Sequence, residues 1–183
     1  MTRTPSCEEA RPGSCPCCGA AGRPLGGPLG IVGHGVRERQ ALGPARFEGA
    51  PEPLVVVVRR YRCRACRAIL VVGPRGLLAG RWYSGPAVAL ALAAVASGAT
   101  SAQTRRRTSP RPHVGASAVE RWVTVERWIG AARRGELFGV QGLGELSRRR
   151  VAEQVTLALA ARGGHRPGVE LGASAFTGAA LAA

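Results

Sequence analysis

Six cysteines carry the clearest chemistry in this chain. Five of them fall in two short knuckles, Cys15-Pro-Cys-Cys18 and Cys63-Arg-Ala-Cys66, each of which contains a Cys-x-x-Cys pair. A Cys-x-x-Cys turn lets two thiolates converge on one ion while nearby amides hydrogen-bond the sulfurs. Two such turns supply four soft ligands at about 2.3 Å, a closed site of the structural type with no position left for a substrate. One structural Zn²⁺ held by Cys15, Cys18, Cys63 and Cys66 is therefore expected. Cys15 with Cys17 is too tight a chelate, so Cys17 is read as a free thiol or a substitute ligand, and Cys7 as a residue that binds nothing. The 44 residues between Cys18 and Cys63 exceed the usual spacing of about 15–20, but a hairpin and a proline-rich loop fill the interval. A redox role for the knuckles lacks a thioredoxin-like βαβ unit around them. The plain alternative is a set of small buried hydrophobes.

Arginine is the second signal. The 183 residues contain 26 basic and 11 acidic side chains, net +15 with a sequence pI near 11.5, and every one of them is Arg or Glu. Lys, Asp and Asn are absent. Without Asp there is no Asp-Asp-Glu nuclease or transposase centre, no Ser-His-Asp triad and no Walker-B carboxylate. Without Lys there is no P-loop lysine and no Schiff base. No nucleophile elbow, His-Glu-x-x-His or phosphate loop stands in their place, so the chain is not expected to be an enzyme. Biased composition explains part of the basicity, yet an excess of this size makes polyanions the first partners to consider.

Three arginine groups are candidates for DNA contact. Arg60, Arg62 and Arg64 share one face of an extended strand and could meet successive phosphates, or simply form a solvated face. Arg105, Arg106 and Arg107 follow a short helix and precede the Pro110/Pro112 break, where helix-turn-helix proteins touch the backbone. Arg121 and Arg127, with Arg133 and Arg134, flank the apolar stripe of a later helix. Trp122 and Trp128 are read as core anchors rather than stacking platforms. His34, His113 and His165 are isolated.

The elements that must position these groups are small, since Gly (26) and Pro (13) exceed a fifth of the chain. Residues 1–14 read as a disordered leader, polar and without the apolar stretch of a secretory signal. Residues 15–80 read as a β-type domain. Leu29–Leu42 is a strand or hairpin, Leu54–Cys63 the strongest strand by β-branched content, and Ile69–Val72 its return partner after the Cys63–Cys66 turn. Residues 81–162 read as helical. Ser84 and Pro86 open the first helix and Gly98 closes it; Thr100–Arg107 is a short second helix. Ser117 and Glu120 form a capping box for a third helix to about Arg134, and Glu145–Arg162 is a fourth. The uncharged run Trp82–Thr104 is long enough to span a bilayer on count alone, but its apolar centre is short and Ala-rich, which favours a buried helix. Residues 163–183 read as a flexible tail, loose or weakly helical. The fold class is thus α+β, a small zinc-ribbon domain followed by a helix-turn-helix-like bundle, in a cytoplasmic protein without a membrane segment.

The runs Cys-Pro-Cys-Cys-Gly, Gly33-His-Gly-Val-Arg-Glu-Arg, Arg59-Arg-Tyr-Arg-Cys-Arg-Ala-Cys66 and Val71-Val-Gly-Pro-Arg-Gly76 resemble the N-terminal zinc ribbons of bacterial insertion-sequence transposases. The likeness points to a transposase-like family in which such a ribbon precedes a helical part. It covers about residues 15–97 well, and Trp122–Arg134 and the tail only loosely. It implies zinc on the four paired cysteines. The sequence departs from the pattern at Cys17 and at Arg67, where these ribbons carry Gly; the second departure bears on the turn rather than on the metal. The resulting expectation is a zinc-binding, transposase-related protein that contacts the phosphate backbone of duplex DNA without a catalytic domain. The alternative is a zinc-stapled protein–protein adaptor or a decaying transposase remnant without DNA activity.

Overall fold

The computed structural model describes residues 5–111 and 121–182. The expected capping box at Ser117 and Glu120, together with Val119 and His113, lies outside the described residues. The fold is mixed α+β, with a three-stranded sheet and, among the described residues, five helices. The strands are β1 (Ile31–Pro44), β2 (Pro51–Cys63) and β3 (Ile69–Val72), in sheet order β1-β2-β3. β2 and β3 pair antiparallel with Arg60 opposite Val71 and Arg62 opposite Ile69. The four-valine run in β2 and the β-branched ends of β3 suit a pleated, half-buried surface. Of the strand or hairpin expected over Leu29–Leu42, the strand forms, with Gly33 and Gly35 inside β1.

The chain forms two compact units, and neither is a continuous segment. Residues 1–40 and 55–74 make the first; residues 41–54 and 75–183 make the second. This division differs from a linear boundary near residue 80, because the end of the β1–β2 hairpin belongs with the helices. Leu42 donates its amide to the Trp82 carbonyl and accepts from Ser84. Phe47 meets Phe176 edge to face at 6.1 Å.

The first unit has a small core cluster of four buried residues, Cys15, Ile31, Tyr61 and Cys63, with Val58 also buried. Cys7, Ala10, Ala20, Leu70 and Val72 pack around the cluster. The segment expected as a disordered leader is therefore folded from residue 5 onward. Tyr61 donates its hydroxyl to the Cys7 carbonyl at 2.7 Å, and Arg11 donates to the Ile31 carbonyl and pairs with Glu8. A Cβ at Gly33 would come within 2.8 Å of the Cys7 sulfur, so glycine there makes room for the packed segment. So small a core gives little hydrophobic stabilisation on its own.

The second unit is built on α1 (Gly85–Ala96). Ser84 caps it through the Ala87 amide and Pro86 sits in its first turn. Nearly every α1 residue is buried, as a helix apolar on all sides requires. The other helices, α2 (Ser101–Thr108), α3 (Val123–Arg133), α4 (Arg148–Arg162) and α5 (Leu171–Leu181), each contact α1. Leu90, Leu92, Val95, Trp122, Val125 and Ile129 all lie in the core as expected. Thr100 and Gln103 form a reciprocal capping box for α2, and Ser147 caps α4. Of the two readings of the tail, loose or weakly helical, the helical one holds: it contains α5, which buries Ala175 and Ala179. Its small residues allow the close approach: a Cβ at Gly178 would fall on the Leu159 carbonyl oxygen. No helix among the described residues is long and apolar enough to cross a membrane.

Candidate functional site

The two knuckles are local copies of one another. In the first, Cys15 N–H donates to the Ala20 carbonyl at 2.9 Å and Gly19 N–H returns to the Cys15 carbonyl at 2.8 Å. In the second, Cys63 donates to Ala68 at 3.0 Å and Arg67 returns to Cys63 at 3.0 Å. The residue after the second cysteine adopts positive φ in both, +74° at Gly19 and +64° at Arg67. The ribbon pattern's glycine at this position thus has a physical reason, and Arg67 takes the same left-handed turn without it.

These turns bring the four sulfurs of Cys15, Cys18, Cys63 and Cys66 within 4.8 Å of one another. The pairs Cys15–Cys66 and Cys18–Cys63 are each 3.7 Å apart. That is too far for a disulfide, whose sulfurs sit about 2.05 Å apart. It matches the edge of a tetrahedron of sulfurs around a metal, about 3.8 Å for metal–sulfur bonds of about 2.3 Å. The four cysteines could therefore hold one metal ion. Cys15 and Cys63 are buried beneath it, while Cys18 and Cys66 face solvent. Cys17 is exposed and outside the cluster, and half-buried Cys7 packs on the core. His34 is exposed and is not part of it.

The electrostatics of the thiols suit a cation. The amides of Cys66 and Ala65 donate to the Cys63 sulfur and lower its pKa to about 7. Ala68 draws Cys66 down, but lost hydration and the thiols of Cys18, Cys15 and Cys63 outweigh it, leaving Cys66 at about 12. Cys18 is likewise raised despite the Ala20 amide, with desolvation, Cys15 and Cys63 opposing its ionisation. One thiolate forms readily and the last resists. A divalent ion removes that conflict by neutralising the accumulated charge.

No family model, curated protein or solved structure matches the chain. The site must be read from its own residues.

The arginine candidates separate into distinct places. Arg60 and exposed Arg62 lie on the β2 face opposite buried Tyr61 and Cys63, whereas Arg64, expected on the same strand face, is exposed in the knuckle turn just beyond the strand's end at Cys63. Arg105, Arg106 and Arg107 do not form one patch. They occupy the last turn of α2, where successive side chains point about 100° apart. Arg107 stacks over the Phe47 ring at 5.8 Å, Arg106 is exposed, and Arg105 lines a different groove.

That groove gathers the remaining candidates. It encloses about 770 Å³ in the second unit and is lined by Arg105, Arg121 and Arg127, and by Arg81 and Arg111, which sequence reasoning passed over. No carboxylate lines it among the described residues. Arg111, Arg121 and Arg127 take part in no ion pair among the described residues; Glu126 beside them is held instead by Arg148 at 2.8 Å. Arg81 also faces Glu136, whose carboxyl is drawn below its usual range chiefly by Arg134. The floor is an aromatic cluster in which Tyr83, Trp122 and Trp128 meet edge to face at 5.1–5.9 Å. Trp122 and Trp128 are buried core anchors, as their sequence context implies. The groove draws on residues around 81, 105–111 and 121–128, three separate stretches whose proximity no local pattern announces.

Proposed function

We propose that this chain is a zinc-stapled DNA-binding protein related to the transposase-like ribbon family and without a catalytic role of its own. The metal is zinc, because four thiolates in a tetrahedral arrangement select it over hard cations, with iron the main competitor. The ion serves as the missing core of the first unit, fastening both knuckles to the sheet. Free thiols with this geometry fit a reducing, cytoplasmic compartment. The observation that carries DNA binding is the groove lined by five arginines and, among the described residues, no carboxylate. Arginine forks suit phosphate oxygens, and affinity grows by release of counterions. Two further features support the reading. Arg62 and Arg64 are exposed on the ribbon, and α1 and α2 join through a short turn containing Gly98 at φ +88°, as in helix-turn-helix pairs.

The test is duplex-DNA binding across a salt series, with metal analysis of the same preparation. One zinc per chain is expected, lost in Cys63→Ser. Changing Arg111, Arg121 and Arg127 together to Gln lowers the slope of log affinity against log salt by roughly 2–3, at about 0.9 per phosphate contact. The triple change at 105–107 lowers it by only about 1, because a single member lines the groove. Absence of salt-dependent binding would defeat the DNA reading. A second reading, a protein–protein adaptor, is favoured by the exposed Val55, Val57, Ile69 and Val71 of the first unit. Salt-insensitive binding of a protein partner distinguishes it.

A further inference from the structure

Trp82 is the one tryptophan the core does not use. Trp122 and Trp128 are buried, whereas Trp82 is 61% exposed at the groove's wall. The Arg111 guanidinium lies over its ring, 5.5 Å from the centroid. In a chain with only three Trp, two Tyr and three Phe, leaving the largest apolar ring in water beside arginines is costly for folding. An aromatic face bordered by cations matches the two parts of a nucleotide. The ring accepts a base by stacking, and the guanidinium groups accept the phosphates on either side.

A base can stack on Trp82 only after leaving its pair, because inside a duplex both its faces are already covered. We infer that the groove takes an unpaired stretch of DNA, with one base on Trp82 and the flanking phosphates on Arg111, Arg121 and Arg127. This inference rests on the DNA-binding reading and narrows its ligand. Stacking tolerates any base, so recognition here follows strand state rather than sequence.

The experiment compares three fluorescently labelled probes of equal length, about a dozen nucleotides. They are oligothymidylate, the same sugar-phosphate chain without bases, and a duplex. Anisotropy titrations use the full zinc-loaded chain. Wild type is expected to bind oligothymidylate roughly tenfold or more tightly than the abasic chain, in line with stacking measured by substitution. Trp82→Ala removes that preference and leaves the salt slope unchanged, since no phosphate contact is lost. Trp82→Phe retains part of it. Circular dichroism of both variants matches wild type, as an exposed side chain implies.

Equal binding of the base-bearing and abasic chains by wild type would overturn the inference, as would a preference that survives Trp82→Ala. In either case salt-dependent duplex binding that falls with Arg111, Arg121 and Arg127 would leave the broader DNA reading standing. Binding of none of the probes would overturn both.

Discussion

Arg67 and Gly19 hold the same place in the two knuckles, and exchanging their residue types tests how backbone conformation limits the metal centre. Both have positive φ, +64° and +74°. For an L-residue this region costs roughly 1–2 kcal/mol, and glycine avoids that cost while losing about 0.5–1 kcal/mol more chain entropy on folding. Arg67→Gly therefore stabilises the loaded unit by about 0.5–1 kcal/mol. Gly19→Ala destabilises it by about 1 kcal/mol, and only through the backbone, because a Cβ there meets no atom within 4 Å. With a core cluster of four buried residues, the stability of the first unit and its metal affinity are coupled. The effect accordingly reads out as a roughly two- to fivefold gain in zinc affinity for Arg67→Gly, measured by competition with a chromophoric chelator, and as a higher urea midpoint. Removing the arginine also removes a charge, so Arg67→Ala serves as the control: it loses the charge and keeps the strain. Zinc affinity no higher in Arg67→Gly than in Arg67→Ala would refute the reasoning.

Three other outcomes are expected. Cys63, lowered to about 7, is ionised in the metal-free fold above that pH and protonated below it. Each ion bound at pH 6 therefore displaces about one more proton than at pH 8, and affinity climbs more steeply with pH below 7 than above it; equal proton release in an indicator titration at both pH values would contradict this. The sign for the fold is the same, because a depressed thiol pKa lends stability that disappears as pH falls through about 7. Thr104 and Thr108 are fully buried on α2, one turn apart, and their hydroxyls have no hydrogen-bond partner among the described residues. Val at either site should raise stability by about 1 kcal/mol, checked by denaturant unfolding, and a loss would show that a hydroxyl has a partner in solution. Cys17→Ser should leave zinc stoichiometry at one per chain while Cys18→Ser abolishes it; metal analysis showing the reverse would exchange their roles.

What the sequence discloses is what local spacing controls. The knuckles, the cap at Ser84 and the valine-rich strand depend on residues a few positions apart, and each lies where the pattern puts it. Features set by distant partners were not legible. Cys7 is ordered by Tyr61 and Gly33, and α5 carries no apolar periodicity because its fit depends on the Leu159 backbone rather than on large side chains. The arginines are instructive in the opposite direction. Residues 105–107 look like a single cluster only because they are adjacent in the chain; a helix disperses them, while Arg81, Arg111, Arg121 and Arg127 converge from separate stretches. Arg67 shows a third case, a motif departure that leaves the geometry intact at an energetic cost.

The alternation of the two units along the chain has a consequence for assembly during synthesis. Residues 1–40 and 55–74 complete the first unit as soon as position 74 has emerged, and all four metal ligands are available by then. Residues 41–54 appear earlier than the helices to which they belong. Phe47 must wait until Phe176, its ring partner, has been made. At about 5–20 residues per second this delay is on the order of ten seconds. During that interval a finished metal unit carries an exposed hairpin end whose apolar side chains have no partner. A metal supply that lags behind translation would leave that end attached to an unfastened sheet, and aggregation in zinc-poor cells would begin there, before the helical unit exists.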